Sequence, residues 1–379
     1  MKFHYRLVFT SAIIFLALFF LLSSHSYNLV DKLVPEHASF ANNLRQTGDT
    51  ASASLNCTWN TTSGNLFDML KQLDDGSSGN PKKQVRVLVH ARMRTGSSVT
   101  GGLFNDYPDF FFLYEPGHML VEHKKMDLYG DNFKDLEKLR PDLMSFLNDT
   151  YHCNFSGKDF YLKSLKRHRF MRENNRALRG MKLPIKENDL IKVCESKSHI
   201  AVKTVRLNSL ILAESVLREN EVRVVHVVRD PRGMMPSRRH MQGMRTSSGV
   251  TFEPKLERVV KDYCDWLEHN HVTENTGPDW LRKQYFCLRY EDLVDRPLTF
   301  VPELFKFAGL PLNDATMLRI NSEEWWSNHG ERWRADVTMK EVLRIQEICG
   351  EHIFSTLGYK MVYNEEDLTN MNKSLLMPF

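Results

Sequence analysis

A loop rich in arginine, glycine and hydroxyl residues is the first part of this sequence whose composition indicates chemistry. It directly follows the apolar run 85–91, and Arg94 and Gly96 lie at its centre. Backbone N–H groups in such a turn, just ahead of a helix, point at an oxyanion and bind it. The segment therefore predicts a phosphate-binding loop formed by Arg92, Met93, Arg94, Thr95, Gly96, Ser97 and Ser98.

This loop differs from the nucleoside triphosphatase pattern GxxxxGK[ST], in which a lysine precedes the hydroxyl residue. Here Arg94 precedes the glycine and the lysine is missing. A magnesium-dependent kinase is therefore disfavoured; as an alternative it would require a divalent metal and a carboxylate ligand beside the loop. The six cysteines show no CxxC spacing, so we expect no metal site.

A second loop of similar composition follows the apolar run 222–228. It begins with Arg229, an Asp-Pro pair ends the preceding strand pattern, and Ser237 comes eight positions after the arginine. An arginine offers a forked pair of donors that suits a phosphate, and a hydroxyl adds another donor. The residues that we expect to hold a second phosphate are Arg229, Asp230, Pro231, Arg232, Gly233 and Ser237.

Both loops need rigid elements that bring them together. The β-branched runs 85–91 and 222–228 are typical of interior strands. Further apolar patterns predict a strand at 200–206 and helices at 207–218, 256–270 and 342–357. Such alternation predicts an α/β fold with a parallel sheet and helices on both faces. Ligands bind at the carboxyl ends of parallel strands, so both loops should share one cleft.

Four motifs occur in order along the chain: RTGSS at 94–98, FLYEPGH at 112–118, Arg229 with Ser237, and LRYEDL at 288–293 followed by Arg-Pro. At these residues the sequence, over residues 83–360, resembles the Golgi carbohydrate sulfotransferases. It resembles in particular the branch that sulfates the 6-hydroxyl of N-acetylglucosamine, galactose or N-acetylgalactosamine. The resemblance implies the sulfotransferase fold, a P-loop-like parallel sheet flanked by helices.

The resemblance also implies a co-substrate and its contacts. The donor would be 3′-phosphoadenylyl sulfate (PAPS), with residues 94–98 at its 5′-phosphosulfate and with Arg229 and Ser237 at its 3′-phosphate. The acceptor would be a glycan or proteoglycan. The chain departs from the family at Val99 and Gly102, where an aromatic and an acidic residue are usual. These departures do not affect the prediction that PAPS is the donor, but they weaken any assignment of the acceptor sugar.

Sulfuryl transfer to an alcohol requires a cation at the leaving group and a base for the hydroxyl proton. Arg94 is the candidate cation; the alternative is that it merely pairs with a carboxylate. Glu115 is the first candidate base, because it follows the strand pattern 110–114 and lies in the FLYEPGH motif. His118 is the second candidate. Lys203 is undecided between the edge of the core and the reacting group.

The overall composition fits an enzyme with one large α/β core. The chain has 379 residues, of which 42% are hydrophobic, and its formal net charge is only +4. Duplex-binding modules are far more basic, so we expect no nucleic-acid partner. The basic run 163–169 is either a solvated helix face or a groove for an anionic glycan. A third hypothesis, besides a sulfotransferase and a kinase, is a protein that binds glycans without catalysis. The presence of both predicted phosphate loops disfavours this hypothesis.

The N-terminus predicts a membrane anchor. A mostly apolar run at 7–24 follows Lys2 and Arg6, which favours a single-pass type II protein with a cytosolic tail at 1–6. A cleavable signal peptide, with small residues at Ser24 and Ser26, is the alternative. Residues 25–81 are polar and predict a luminal stem, 82–365 the sulfotransferase domain, and 366–379 a C-terminal tail.

Glycosylation sequons and cysteines are consistent with a Golgi glycoprotein whose catalytic domain is luminal. The sequons are at Asn56, Asn60, Asn148, Asn154 and Asn372. In an oxidising lumen the cysteines can form disulfide bonds. Their pairing is open at this level, and so is the question of a homodimer.

Overall fold

The computed structural model describes residues 83–126, 133–241, 254–273, 276–322 and 330–377. The tail, anchor and stem that we predicted at 1–6, 7–24 and 25–81 lie outside these ranges. Within them, no helix is long and apolar enough to span a bilayer.

The described chain is built around a five-stranded sheet in which every pairing is parallel, in the order β2-β3-β1-β4-β5. The strands are β1 (Arg86–His90), β2 (Phe110–Tyr114), β3 (His199–Thr204), β4 (Arg223–Val228) and β5 (Tyr285–Arg289). Residues rich in β-branched and aromatic side chains form these strands, and nearly all of them are buried. The parallel sheet predicted from the sequence is confirmed.

Helices connect the strands and cover both faces of the sheet. In chain order they are α1 (Ser97–Asp106), α2 (Pro116–His123), α3 (Phe133–Tyr151), α4 (Asp159–Arg167), α5 (Arg169–Glu173), α6 (Glu187–Glu195), α7 (Glu214–Glu219), α8 (Pro231–Met241), α9 (Pro254–Asn270), α10 (Asp279–Arg282), α11 (Tyr290–Asp295), α12 (Pro297–Phe307), α13 (Asp314–Ile320), α14 (Met339–Cys349), α15 (Glu351–Thr356) and α16 (Glu365–Thr369). Short 3₁₀ turns occur at Arg176–Leu178, Ile211–Ala213 and Arg332–Ala335.

Alternating residues of the strands point into two separate cores. Val87 and Val89 pack with α1, α12 and α13, whereas Leu88 packs with α2, α3 and α9 on the opposite face. The helices hold these faces out of water, and burial of this apolar surface stabilises the fold.

The strand order places a topological switch between β1 and β4. The chain leaves β1 toward β2 on one side of the sheet and leaves β4 toward β5 on the other side. In open parallel sheets, ligands bind in the crevice at the carboxyl ends of such strands. The two candidate phosphate loops follow these two strands.

Two of the predicted helices differ from the prediction. The helix predicted at 207–218 begins only at the 3₁₀ turn, because the Asn270 side chain bonds the backbone of Asn208 and Leu210 at 2.8 Å each. The helix predicted at 342–357 is divided at Gly350, which has φ 76°. The helix predicted at 256–270 is confirmed as α9.

Of the C-terminal tail that we predicted at 366–379, the described residues 366–377 pack against the domain. Leu368 and Leu375 are buried in a small cluster with Trp333. The Arg334 guanidinium donates hydrogen bonds to the carbonyl oxygens of Leu368 and Lys373, both at 2.8 Å. The end of the described chain therefore completes the domain.

Two disulfide bonds link described elements. Cys153, just after α3, is bonded to Cys194 in α6, and Cys264 in α9 is bonded to Cys349 in α14. Each bond closes a loop that is long in sequence, and such closure removes entropy from the unfolded chain.

Candidate functional site

The two candidate phosphate loops meet at the switch point. Strands β1 and β4 are neighbours, with His90 opposite His226 near their carboxyl ends. Beyond the strands, Arg229 Nη1 donates a 3.1 Å hydrogen bond to the carbonyl oxygen of Arg94. Arg94 Nε in turn donates to Ser237 Oγ at 2.8 Å. The fold thus brings together three residues that the sequence assigned to opposite ends of one ligand.

Gly96 shapes the first loop. It caps helix α1 with φ 93°, a left-handed conformation that glycine adopts without strain. A Cβ atom at this position would lie 2.2 Å from Cδ2 of Tyr290, so the backbone approaches this ring closely. The first N–H groups of a helix have no intrahelical acceptor, and no acidic residue occupies the first turn of α1. This helix end therefore suits an anion.

The other residues of the first loop divide into inward and outward side chains. Arg92 is buried, donates to Asn208 Oδ1 at 3.0 Å and lies over the Trp266 ring. Buried Thr95 donates to the Arg92 carbonyl oxygen at 2.9 Å. Ser98 is exposed, and its Oγ lies 3.3 Å from the Tyr114 hydroxyl. Side-chain contacts with a ligand are thus open to Ser98 and Arg94, while Arg92 and Thr95 hold the loop.

Met93 and Ser97 complete this loop. The Met93 sulfur accepts a 3.5 Å hydrogen bond from Arg206 Nη2, so Met93 is tied to the segment after β3. Ser97 is buried at the first position of α1. These two residues connect the loop to its support.

The second loop carries a buried ion pair. Asp230 and Arg232 are almost completely buried, and Arg232 Nη2 lies 2.6 Å from Asp230 Oδ2. Arg232 also donates to Gln346 Oε1 at 2.9 Å. Both charged side chains are therefore part of the packing around α8 and do not face the cleft. Pro231 begins this helix, and a Cβ on Gly233 would lie 2.6 Å from the Trp333 ring, so these two residues are also structural in position.

The cleft concentrates positive charge. Burial lowers the pKa of Arg94, and the neighbouring guanidinium groups of Arg229 and Arg238 lower it further. The Arg229 guanidinium lies 4.6 Å from the centroid of the Tyr290 ring. Its Nε is buried and has no hydrogen-bond partner among the described residues. A bound anion would relieve the repulsion and supply the missing acceptor.

Tyr290 and Glu291, for which the sequence predicted only a role in fixing the last strand and its turn, contact both loops. Glu291 is buried; it accepts a 3.1 Å hydrogen bond from the Asp230 N–H and one of 3.0 Å from the Tyr359 hydroxyl. Burial raises the pKa of Glu291 to about 7, although Arg229 opposes this shift. The LRYEDL motif was the available signal, since it places these residues directly after β5.

Glu115 lies at the carboxyl end of β2, with φ 50°, and is only 6% exposed. Lys203 Nζ contacts its Oε1 at 2.5 Å. The Val205 N–H donates to Oε2 at 3.3 Å. Lys203 also lies 4.3 Å from the centroid of the Tyr114 ring. Lys203, whose role the sequence left open, is therefore the ion-pair partner of the candidate base Glu115.

His118 lies one helical turn further on, half-buried in α2. Burial holds its pKa below the usual value, and Glu115 opposes this shift. The His118 ring lies 5.9 Å from Phe170 and 6.4 Å from His168, measured between centroids. Phe170 follows the basic run and is 41% exposed. The basic segment is therefore adjacent to the side of the cleft where Glu115 lies.

Comparison with known proteins agrees with this geometry. The family model described as the sulfotransferase domain matches residues 85–329. The chain belongs to the sulfotransferase domain family. It is similar to carbohydrate sulfotransferase 1 of Danio rerio, with 27% identity over 78% of this chain and 83% of that protein. It is equally similar to carbohydrate sulfotransferase 6 of Homo sapiens, with 27% identity over 83% and 90% of the two chains.

Solved structures also match, at low identity. One is mouse sulfotransferase SULT7A1 complexed with PAP, with 12% identity, a TM-score of 0.38, and coverage of 75% of this chain and 87% of that one. The family resemblance read from the sequence is confirmed by the family model and the curated relatives. The protein is a sulfotransferase enzyme.

Proposed function

We propose that the protein transfers a sulfuryl group from PAPS to a hydroxyl of a glycan sugar, the 6-hydroxyl of N-acetylglucosamine, galactose or N-acetylgalactosamine. The main support is the hydrogen bond from Arg229 to the Arg94 carbonyl oxygen, because it joins the two loops that we expect to bind phosphate. The similarity to proteins named carbohydrate sulfotransferases supports a sugar acceptor. The motif resemblance supports the 6-hydroxyl.

In this proposal the two loops hold opposite ends of the donor. The N-terminus of α1, with Ser97 and Ser98, binds the 5′-phosphosulfate. Arg229 and Ser237 bind the 3′-phosphate, and the unpartnered Nε of Arg229 fits that role. Arg94 contacts Ser237 and belongs to the first loop, so it connects the two ends.

The residues of the cleft divide the chemistry between them. Glu115 accepts the proton of the sugar hydroxyl as the hydroxyl oxygen bonds to sulfur. Arg94 and the N–H groups at the start of α1 stabilise the charge on the phosphate oxygen as its bond to sulfur breaks. His118 is the alternative base, since it is half-buried one turn away from Glu115.

The location in the cell is part of the proposal. We infer a Golgi membrane protein with a single N-terminal anchor and a luminal catalytic domain. The sequon asparagines Asn154 and Asn372 are exposed and accessible to glycosylation, whereas Asn148 accepts a 3.0 Å hydrogen bond from Asn220 inside a helical contact. Disulfide bonds inside the catalytic domain agree with an oxidising lumen.

Radiolabelled sulfate transfer tests the function directly. The full chain is incubated with labelled PAPS and a panel of defined oligosaccharides, and the position of the label is determined by mass spectrometry. We expect label on the 6-carbon oxygen of one of the three sugars, and no transfer by Arg94→Ala. Label on another carbon would contradict the regiochemistry. Glycan binding without transfer by the wild-type protein would contradict the glycan sulfotransferase function.

A further inference from the structure

Phe170 is an aromatic side chain that the fold leaves exposed beside the candidate reaction site. It lies on the short helix α5 and is 41% exposed. Its ring centroid is 5.9 Å from that of His118 and 6.4 Å from that of Tyr114, and both contacts are edge-to-face. The Tyr114 hydroxyl in turn lies 3.3 Å from Ser98 Oγ in the first loop. A single exposed aromatic ring is ordinary on a protein surface, but one that borders a polar cleft suits a ligand with an apolar face.

The segment that carries Phe170 is hydrogen-bonded to two elements of the cleft. Asn175 is fully buried, and its side-chain oxygen accepts a 3.0 Å hydrogen bond from the Tyr114 N–H at the end of β2. The Arg176 N–H donates to Asn105 Oδ1, in helix α1, at 2.7 Å. Phe170 is therefore fixed relative to both the strand that precedes the candidate base and the helix that follows the first loop. A surface that is ordered before binding loses less entropy when the ligand binds.

The basic side chains that directly precede Phe170 each contact a carboxylate of the protein. These contacts are Arg167–Glu122 at 2.5 Å, His168–Glu122 at 2.8 Å and Arg169–Glu173 at 2.5 Å. An anionic group at this place would meet the carboxylates as well as the cations, so the local charge offers it little net attraction. An uncharged sugar ring meets no such opposition.

A pyranose ring has a surface that matches the Phe170 ring. Its hydroxyl groups project around the rim, and the C–H groups on a face of the ring form an apolar patch. The face of an aromatic ring is negative and attracts these weakly positive hydrogens, and the contact removes apolar area of both rings from water. We propose that Phe170 stacks against the acceptor sugar and thereby orients it, and that this sugar carries no charge. The inference deepens the proposed function and rests on it, since the acceptor hydroxyl must lie between Glu115 and the first loop.

Kinetics in which the acceptor and the donor are varied separately test the stacking. In Phe170→Ala we expect the KM for a neutral oligosaccharide acceptor to rise about tenfold, because loss of one ring stacked on an aromatic side chain costs about this much in other ligands. The KM for PAPS should stay within about twofold of the wild-type value, because Phe170 belongs to neither of the candidate phosphate loops.

Three further variants serve as controls. Phe170→Tyr keeps the ring and should keep the acceptor KM within about threefold of the wild-type value, whereas Phe170→Leu keeps an apolar side chain without the ring and should show most of the loss. Tyr363→Ala removes an aromatic side chain that is 65% exposed and that follows Val362, in the cluster around Trp333. This variant should leave the KM values for acceptor and donor unchanged.

Acceptors that differ by one sulfate group test whether the bound sugar is uncharged. The wild-type protein should have a higher kcat/KM for an oligosaccharide with an unsubstituted terminal sugar than for the same oligosaccharide sulfated at the 3-hydroxyl of that sugar. The reason is repulsion between this sulfate and the carboxylates of Glu122 and Glu173. Glu122→Gln, which removes one of these charges, should reduce the difference. A preference for the sulfated acceptor would overturn this part of the inference and favour an anionic glycan at residues 163–169.

The outcomes separate the inference from the function on which it rests. An unchanged acceptor KM in Phe170→Ala, or an equal rise in the KM values for acceptor and PAPS, would show that the ring only supports the cleft and would overturn the inference. Thermal melting and PAP binding show whether each variant is folded. If Phe170→Ala does not fold, Phe170→Leu decides, and a wild-type acceptor KM in that variant would overturn the inference. Absence of sulfuryl transfer by the wild-type protein to any sugar would contradict the proposed function, and the inference with it.

Discussion

Replacement of Arg229 by alanine should remove recognition of the 3′-phosphate specifically. Arg229 Nη1 is engaged with the Arg94 carbonyl oxygen, while Nε is buried without a partner among the described residues. Nε and Nη2 therefore offer a phosphate two charge-assisted hydrogen bonds, each worth about 1.5–3 kcal/mol. Allowing for reorganisation of the free cleft, we expect a loss of about 3 kcal/mol, or roughly 100-fold in Kd.

Calorimetric titration with two nucleotides isolates this contribution. Adenosine 3′,5′-bisphosphate carries the 3′-phosphate, and adenosine 5′-monophosphate does not. The wild-type protein should prefer the bisphosphate by about 100-fold, and Arg229→Ala should prefer it by less than about tenfold. Arg218→Ala is the matched control, because Arg218 is exposed and its ion pair is with Glu214 on the same helix.

An equal loss of affinity for both nucleotides would refute this reasoning. It would mean that Arg229 acts through the loop, by its bond to the Arg94 carbonyl or its contact with the Tyr290 ring, and not through the 3′-phosphate. An unchanged preference for the bisphosphate in Arg229→Ala would place the 3′-phosphate elsewhere.

Three other perturbations give distinct results. Glu115→Gln should keep nucleotide affinity and lose about 100-fold or more in kcat, and unchanged turnover would favour His118. Gly96→Ala should destabilise the protein by about 2–4 kcal/mol in urea unfolding, whereas Gly157→Ala, with φ 72° and no atom within 4 Å of its Cβ, should cost only about 1 kcal/mol. Burial lowers the pKa of His90 from 6.5 to about 3, so below pH 6.5 the unfolded chain binds a proton that the folded chain excludes. Stability should therefore fall with acidification, and His90→Gln should reduce this slope by up to about 1.4 kcal/mol per pH unit; an identical slope would contradict it.

The parallel sheet and the positions of the two loops could be predicted from the amino-acid sequence. Runs of β-branched residues followed by glycine, arginine and hydroxyl residues predict a buried strand and a candidate anion-binding turn, and both signals are local. Parallel topology then places strand ends at one edge of the sheet, so Arg94 and Arg229 were expected in one cleft. Glu115 was proposed as the base for the same reason, since it directly follows a strand.

Which side chains face the cleft could be learned only from the folded chain. Asp230 and Arg232 are close in sequence to Arg229, yet they pair with each other in the core, because the turn into α8 directs them inward. Composition cannot show this orientation. Side chains alternate between the two faces of a strand and rotate around a helix, so a shift of one position turns a side chain to another face.

Contacts between segments that are distant along the chain could also not be predicted from the sequence. Tyr290 packs against Gly96 and under Arg229, and Lys203 pairs with Glu115 across two strands. These contacts depend on strand order and register, which a single sequence leaves open because many pairings bury the same apolar residues. Local chemistry thus specified what the cleft contains, and long-range packing determined which charges are neutralised by the protein and which remain for a ligand.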